Sequence, residues 1–264
     1  MKINKRTVFT FLVILFIFFG SFLAPNDPLE VNLPLRFANP SSKYPLGNDS
    51  MGRCVLSRIL YGGKTTLFMV MTASIIIFTL GLLLGTLTSN VTMKKNVIVD
   101  SIINAVTAIP PIAYLIIFIA SWGNGIKTTL IALVVSYILR FLRLVRTQIN
   151  IEYDKAYCTC MISLGASKTR LVLVHILPNI LLDLVHYICL SCADMILAIT
   201  GFSFIGIGLG ENVVEWGSMI LEARDSIFIK PELIIYPIFA VFITTMSFNI
   251  IAKEANRRWR YDFG

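Results

Sequence analysis

The sequence predicts an all-α integral membrane protein, a polytopic chain with about six transmembrane helices. Composition is the first reason: 56% of the 264 residues are apolar, 14% are charged, and the mean hydropathy is +0.78. These values lie outside the balance of an ordinary water-soluble domain. The second reason is a series of apolar runs of about 20 residues, the length a helix needs to cross a hydrocarbon core about 30 Å thick.

Six apolar runs follow one another, at residues 8–24, 67–89, 102–120, 126–145, 176–200 and 233–252. The first resembles a signal peptide because basic residues precede it. Its apolar part is 17 residues long and no small-x-small cleavage site follows, so we expect a retained helix. The fourth run is the shortest between charges, and we expect Lys127 and Arg140 to extend their charged ends to the membrane surfaces.

Two spans contain residues that predict local geometry. Pro110 and Pro111 predict a kink in the third span that leaves backbone carbonyls free for a neighbour or a pore. Gly81 and Gly85, four residues apart in the second span, predict close packing against another helix.

Basic residues are distributed unevenly between the two sides of the predicted membrane. The N-terminus, the 90–100 turn, the 140–170 loop and the C-terminal tail hold 15 of the 23 Lys and Arg residues, and the opposite side holds eight. Cytoplasmic loops are enriched in Lys and Arg, so we expect both termini in the cytoplasm. The net charge of +8 is dispersed over short segments, which does not indicate a nucleic-acid-binding surface.

Two longer segments fall on the predicted outer side. Residues 25–64 contain five prolines, and residues 201–232 are rich in glycine and acidic side chains. Within residues 52–64 an apolar stripe predicts a short interfacial helix, formed by Val55, Leu56, Ile59 and Leu60. Five cysteines lie scattered through apolar sequence and do not indicate a disulfide framework, which leaves the redox compartment open: Cys54, Cys158, Cys160, Cys189 and Cys192.

The fifth span is unusually polar for a helix in lipid. We expect its ionisable side chains to face protein or a water-filled path, and the candidates for such a path are Asp183, His186 and Asp194. His186, Cys189 and Cys192 follow at i, i+3 and i+6, so a soft metal could contact two of them. Packing of the cysteines and a hydrogen bond from His186 to a neighbouring helix is the alternative, and a metal site stays unknown.

Three separated segments resemble the permeases of the dipeptide, oligopeptide and nickel class of ABC importers. Residues 44–67 read YPLGNDSMGRCVLSRILYGGKTTL and are similar to that family's PLGTD, GRD and LSRLLYGAR run, with Cys54 replacing the usual aspartate. Residues 157–179 contain Leu-Gly-Ala-Ser and Ile-Leu-Pro-Asn at the spacing of the EAA loop, although Thr-Cys-Met replaces Glu-Ala-Ala. Residues 203–219 contain SFIGIGLG and WGSM, similar to SFLGLG and WG-M.

The resemblance implies a permease subunit in the plasma membrane of a prokaryote. It implies four kinds of partner: the lipid membrane, a homologous but non-identical permease, two cytoplasmic ATPase subunits and an extracellular solute-binding protein. ATP and Mg would be bound by the ATPases, with no cofactor in this chain and no nucleic acid. The substrate would be a peptide, nickel or a metal chelate. On this basis residues 1–66 form the first helix with its outer loop and interfacial helix, and residues 67–264 form a five-helix permease domain.

The residues of the loop 147–170 themselves predict a short helix that could dock onto a partner. A helix over residues 152–163, a turn at Gly165 and a second helix from near Ser167 would present a short helix that docks sideways into a groove. By resemblance this is the coupling loop that sits in a cleft of the ATPase subunit, whereas composition alone favours an ordinary solvated loop. The residues assigned to it are Tyr157, Cys160, Leu164, Gly165, Ala166, Ser167, Leu177 and Pro178.

Two other classes of membrane protein agree less well with this sequence. A phosphate-binding loop needs G-x-x-x-x-G-K-[ST], and Arg58 stands where the first glycine would precede Gly63-Lys64-Thr65, so we expect no ATP hydrolysis by this chain. An intramembrane enzyme would need H-E-x-x-H, a serine elbow or paired carboxylates, and the sequence contains none of them. A purely structural membrane protein gives no reason for the loop of residues 150–181.

Overall fold

The computed structural model describes residues 5–89, 91, 97–210 and 212–263, and it describes no side chain for residues 97–100 and 258–263. The described chain is helical, and its only extended pairing is an isolated antiparallel bridge between Asn48 and Cys54. The predicted all-α fold is therefore confirmed. Lys94 and Lys95 of the predicted 90–100 turn lie outside the described residues, as do Lys2 and Gly264.

The helices of the described chain are α1 (Lys5–Phe19), α2 (Val55–Leu87), α3 (Val97–Thr107), α4 (Pro111–Trp122), α5 (Ile126–Tyr153), α6 (Ala156–Ser163), α7 (Lys168–Arg170), α8 (Leu177–Phe204), α9 (Trp216–Ala223) and α10 (Glu232–Phe263). A 3-10 turn, Gly20–Leu23, continues α1, and a single π-helical segment, Leu171–Ile176, joins α7 to α8.

Five helices of the described residues are long and apolar enough to cross a membrane. They are Lys5–Leu23, Val55–Leu87, Ile126–Tyr153, Lys168–Phe204 and Glu232–Arg257. Counting the bent pair Ser101–Thr107 and Pro111–Trp122 as one broken span gives six, which agrees with the predicted number of about six. All six apolar runs of the sequence therefore correspond to helices.

The third span breaks at the predicted prolines. Its two halves, α3 and α4, meet at a bend of 76°. Proline lacks the N–H that would continue the ladder, and its ring clashes with the preceding turn. The Ser136 hydroxyl lies 3.1 Å from the carbonyl oxygen of Pro111 and 2.5 Å from that of Ala132. The expected kink is therefore confirmed, and the Pro111 carbonyl accepts a hydrogen bond from α5.

The short interfacial helix predicted within residues 52–64 is continuous with the second span. Those residues from Val55 onward are the first turns of α2, which runs for 33 residues without a break. Gly62 and Gly63 do not end the helix because each is buried against Trp216, so packing outweighs their low helix propensity. The division of the chain at residues 66 and 67 stays a prediction.

The chain forms two compact units. The first contains Met1–Thr72, Phe118–Leu130 and Cys192–Ile251, and the second contains Ala73–Ile117, Ile131–Ser191 and Ala252–Gly264. In the first unit Val55, Ala223 and Leu233 form a buried core, around which other apolar side chains pack: Phe37, Leu46, Ile59, Ile234 and Tyr236.

Glycines allow α2 and α5 to approach closely in the second unit. A Cβ atom on Gly81 would lie 2.6 Å from Cδ1 of Phe141, and one on Gly85 would lie 2.7 Å from Cβ of Val145. Real Cβ atoms do not sit this close to a neighbour, so only glycine fits without displacement of α5. The predicted close packing at these two positions is confirmed.

Candidate functional site

The connection between α5 and α8 folds into a short helix that ends in a defined turn. Helix α6 begins at Ala156 rather than at residue 152, because Glu152 and Tyr153 still belong to α5. Gly165 has φ +85°, its N–H donates to the Ile162 carbonyl at 2.9 Å, and the Ala166 N–H donates to the Met161 carbonyl at 3.0 Å. These two bonds form a Schellman motif, in which glycine adopts the left-handed conformation. The predicted turn at Gly165 is confirmed.

The chain re-enters a helix directly after this turn. The Ser167 side chain accepts a hydrogen bond from the Arg170 N–H at 3.3 Å and so caps α7. The predicted helix start near Ser167 is therefore confirmed. From there one helix, Lys168–Phe204, continues through the π-helical segment into the fifth span.

The short helix and its turn present apolar side chains to solvent. Leu164 is 82% exposed, and the side chains of Cys160 and Ile162 are also exposed. Ala166 and Leu177 are half-buried, and Pro178 is exposed at the start of α8. Exposed apolar side chains on a fixed backbone are typical of a surface that meets a partner.

Glu152 contacts more side chains of this loop than any residue predicted from the sequence, and it was not among those residues. It lies at the end of α5 and is only 6% exposed. Its carboxylate pairs with Lys155 Nζ at 2.6 Å and accepts hydrogen bonds from the Tyr157 hydroxyl at 3.0 Å and from Asn179 Nδ2 at 3.3 Å. One signal was available: Glu152 is the only acidic residue between Asp100 and Asp154.

Tyr157 acts as a hydrogen-bond donor in this network. Burial raises the pKa of its phenol above the usual range, and the neighbouring Cys158 and Glu152 side chains raise it further. The phenol therefore stays protonated at physiological pH and can donate to the Glu152 carboxylate. The Asn179 amide also lies 3.4 Å from the Tyr157 hydroxyl, so α5, α6 and α8 meet at one point.

The polar residues of the fifth span occupy different environments. His186 is half-buried, and its Nδ1 lies 2.7 Å from the Ala252 carbonyl oxygen of α10, as in the packing alternative. Asp183 is half-buried, and Asp194, 11 residues further along the sequence, is exposed. Among the described residues, no group of three or more His, Cys, Asp or Glu side chains could hold a metal ion.

Two of the three motif segments, residues 44–67 and 203–219, fold together in the first unit. The Trp216 Nε1–H donates to the Ile59 carbonyl at 3.0 Å, and a Cβ atom on Gly63 would lie 2.9 Å from the Trp216 ring. Glu215 is buried, and its carboxylate caps α9 by accepting from the Gly217 and Ser218 N–H groups at 2.7 and 2.5 Å. Burial raises the pKa of the Glu215 carboxyl, whereas the hydrogen bonds it accepts act in the opposite direction.

A cluster of charged side chains lies in the same unit as the Trp216–Ile59 contact, and the sequence did not predict it. Arg58 is 3% exposed and places Nη1 2.7 Å from Asp49 Oδ2, while its Nη1 and Nη2 lie 2.8 and 3.0 Å from the two Glu222 oxygens. Arg53 pairs with Asp49 at 2.7 Å and also contacts Glu222. Two positive and two negative side chains thus join the turn of residues 48–54 and the start of α2 to α9.

Comparison with known proteins identifies the family. Residues 77–261 match the model of the family described as binding-protein-dependent transport system inner membrane component. The chain is 31% identical to the glutathione transport system permease protein GsiD of Pectobacterium atrosepticum, over 92% of this chain and 81% of that protein. It is 26% identical to the nickel transport system permease protein NikC of Escherichia coli, over 86% of this chain and 82% of the relative.

Other relatives and solved structures agree with this result. The di/tripeptide transport system permease protein DppC of Pseudomonas aeruginosa is 26% identical, over 92% of this chain and 82% of DppC. The fold is similar to that of a chain in an inward-facing structure of the MetNI methionine ABC transporter, with a TM-score of 0.58 and 19% identity over 76% of this chain and 94% of that one. The chain therefore belongs to the family of binding-protein-dependent transport system inner membrane components, as a multi-pass permease subunit of an ABC importer.

Proposed function

We propose that this permease pairs with a homologous, non-identical permease and forms a path for a peptide, nickel or a metal chelate. Two ATPase subunits would bind ATP and Mg, and an extracellular solute-binding protein would deliver the substrate. The relatives that transport glutathione, di- and tripeptides or nickel support this range of substrates. Uptake assays with a deletion strain, using peptides and then nickel with and without chelators, distinguish the candidates.

The coupling function rests on the loop between α5 and α8. We propose that α6 and the Gly165 turn dock into a groove of an ATPase subunit and carry its movement to the transmembrane helices. The observation that carries this proposal is Leu164, an apolar side chain 82% exposed at the end of a capped helix. Burying such a side chain in a partner contributes about 1.5–3 kcal/mol.

The test is a change that makes this surface unsuitable for a groove. Leu164→Asp should abolish copurification of the ATPase subunits or substrate-stimulated ATP hydrolysis in liposomes, because an unpaired charge resists burial by several kcal/mol if it is fully desolvated. Gly165→Val should act in the same direction, because its φ of +85° strains a β-branched residue and would tilt the helix.

A matched control is Phe228→Asp, which places the same charge on a fully exposed apolar side chain between α9 and α10. This variant should retain ATPase copurification. Normal copurification and normal stimulated hydrolysis in both Leu164→Asp and Gly165→Val would show that this loop is not the coupling element.

We propose that both termini and the loop of α6 lie in the cytoplasm. The distribution of Lys and Arg, 15 against eight, supports this orientation. A tag at Lys2 or Gly264 should then react only after the membrane is opened, and a tag inserted near Pro40 should react with an impermeant reagent in intact cells. Labelling of both terminal tags in sealed cells would reverse the topology.

We further propose that polar side chains of the fifth span contribute to the translocation path. Asp194 is exposed on the surface of this chain, within a helix that is long and apolar enough to cross a membrane. A carboxylate in such a helix is expensive to place in lipid, so it favours a partner subunit or water. Asp183 and His186 belong to the same proposal, with His186 also bonded to the α10 backbone.

A further inference from the structure

We propose that Glu152 is the positioning residue that fixes the docking helix α6 to both adjoining transmembrane helices. This inference rests on the proposed function of α6 as the contact to the ATPase. Glu152 would not touch the ATPase itself. It would determine the angle at which α6 is presented and would join any movement of α6 to α5 and α8 together.

The contacts of Glu152 reach three elements. Its carboxylate belongs to α5, accepts the Tyr157 hydroxyl of α6 through Oε1 and accepts the Asn179 amide of α8 through the same oxygen. The second oxygen pairs with Lys155, which immediately precedes α6. The Glu152 backbone carbonyl also accepts from Cys158 Sγ at 3.4 Å. The Tyr157 hydroxyl and the Asn179 amide also contact each other at 3.4 Å, so the three side chains form one closed network in which Glu152 alone also holds Lys155.

The position of helix α6 depends on its contacts with Glu152 because few of its own side chains are buried. It is eight residues long, and among its residues only Cys158 is buried. An isolated helix of this length is not stable in water, so its position depends on tertiary contacts. Glu152 accepts from Tyr157 and Cys158 of α6 and pairs with Lys155 at its N-cap, and bonds that involve a charged group are about twice as strong as neutral ones.

The accessibility of two cysteines in α6 shows whether Glu152 keeps this helix in place. Cys158 is 0% exposed and contacts Glu152, whereas Cys160, two residues later, is exposed. In the full chain in membranes without ATPases, a maleimide should modify Cys160 quickly and leave Cys158 protected. Because no Lys or Arg separates Cys158 from Cys160, fragmentation of their shared peptide in the mass spectrometer assigns the label to one thiol or the other.

Glu152→Ala should raise the modification rate of Cys158 by about tenfold or more, because α6 then opens locally more often. The Cys160 rate should stay within about twofold. Tyr157→Phe removes one hydrogen bond and should raise the Cys158 rate by a smaller factor, so the test survives if Glu152→Ala does not fold. Asp154→Ala, which removes an exposed carboxylate two residues away, is the matched control and should leave both rates unchanged.

A second measurement separates positioning from simple loss of protein. In complexes reconstituted with ATPases and binding protein, the ratio of substrate-stimulated to basal hydrolysis should fall towards one in Glu152→Ala. Glu152→Gln, which keeps an oxygen acceptor, should recover part of that ratio. A uniform loss of assembled complex with an unchanged ratio would contradict the positioning role.

Protection of Cys158 in both Glu152→Ala and Tyr157→Phe would overturn the proposal, and so would an equal rise in Asp154→Ala. These thiol measurements need no ATPase. If Cys158 opens as expected but the wild-type chain recruits no ATPase, the positioning of α6 stands and the proposed docking function fails.

Discussion

Gly52→Ala should destabilise the first unit more than any other single methyl addition at a positive-φ glycine. Gly52 has φ +74°, and a Cβ atom there would overlap the Asn32 carbonyl oxygen and lie 2.5 Å from its carbonyl carbon. The left-handed conformation alone costs about 1–2 kcal/mol. Displacement of a backbone segment adds about 1–3 kcal/mol, because rigid backbone cannot rotate aside as a side chain can.

The damage should spread from Gly52 to the ion cluster. Asn32 donates its N–H to the Met51 carbonyl at 3.1 Å, and Asn48 Nδ2 donates to the Gly52 carbonyl at 2.8 Å. The same turn positions Asp49, which accepts from the Met51 and Arg53 N–H groups at 2.8 and 2.9 Å. A shifted turn therefore misplaces a carboxylate of the cluster.

Gly123→Ala is the matched control for this effect. Gly123 lies in the same unit with φ +77°, and no neighbouring heavy atom lies within 4 Å of its Cβ position. Thermal unfolding of the purified permeases in detergent should show a loss of stability for both variants, and the free energy of unfolding should be lower for Gly52→Ala by a further amount of about 1–3 kcal/mol. Equal losses of unfolding free energy in the two variants would mean that the backbone near Asn32 moves aside at no cost.

Arg58→Met should cause the second large loss, of about 3 kcal/mol, by removing one partner of a buried ion cluster. Methionine fills much of the space of the arginine stem but leaves the Glu222 and Asp49 carboxylates with Arg53 alone. A buried ion pair adds little over an apolar contact, yet breaking it leaves a carboxylate without full compensation. The partial exposure of Glu222 places the estimate at the lower end of the usual range.

Arg224→Met provides the control for charge removal in the same unit. Its pair with Asp225 is solvent-exposed, with 65% and 87% of the two side chains accessible, so its loss should stay within about 0.5 kcal/mol. Arg58→Met should still lose more unfolding free energy than Arg224→Met at high salt, and the difference should narrow only slightly. Salt screens buried ion pairs less than exposed ones. If Arg58→Met and Arg224→Met unfolded at equal temperatures, Arg53 alone would be sufficient to neutralise the Asp49 and Glu222 carboxylates.

The spans were predictable from the sequence because lipid imposes one simple requirement, about 20 apolar residues per crossing. The kink of the third span was predictable because Pro110 and Pro111 lack donors. The turn at Gly165 followed from glycine and the following serine cap. In each case the cause lies within a few neighbouring residues, where periodicity and local chemistry are read directly.

The continuous α2 and the two polar networks were not predictable in the same way. Residues 55–64 look amphipathic, and only the burial of Gly62 and Gly63 against Trp216 shows why the helix continues through them. Arg58 meets Glu222 across 164 residues of sequence, and Glu152 meets Asn179 across 27. A single sequence does not contain the pairing of such distant residues, even when each is a conspicuous charge.

The length of α2 determines how the turn of residues 48–54 stands relative to the lipid. Thirty-three helical residues span about 50 Å, and even a tilt of 40° leaves about 38 Å along the membrane normal, against a hydrocarbon thickness of about 30 Å. Because Arg58 and Lys64 lie in its first ten residues, the N-terminal end is the part that rises out of the bilayer. Helix α2 is therefore longer than one crossing of the hydrocarbon core requires, and the excess length lies towards the turn of residues 48–54.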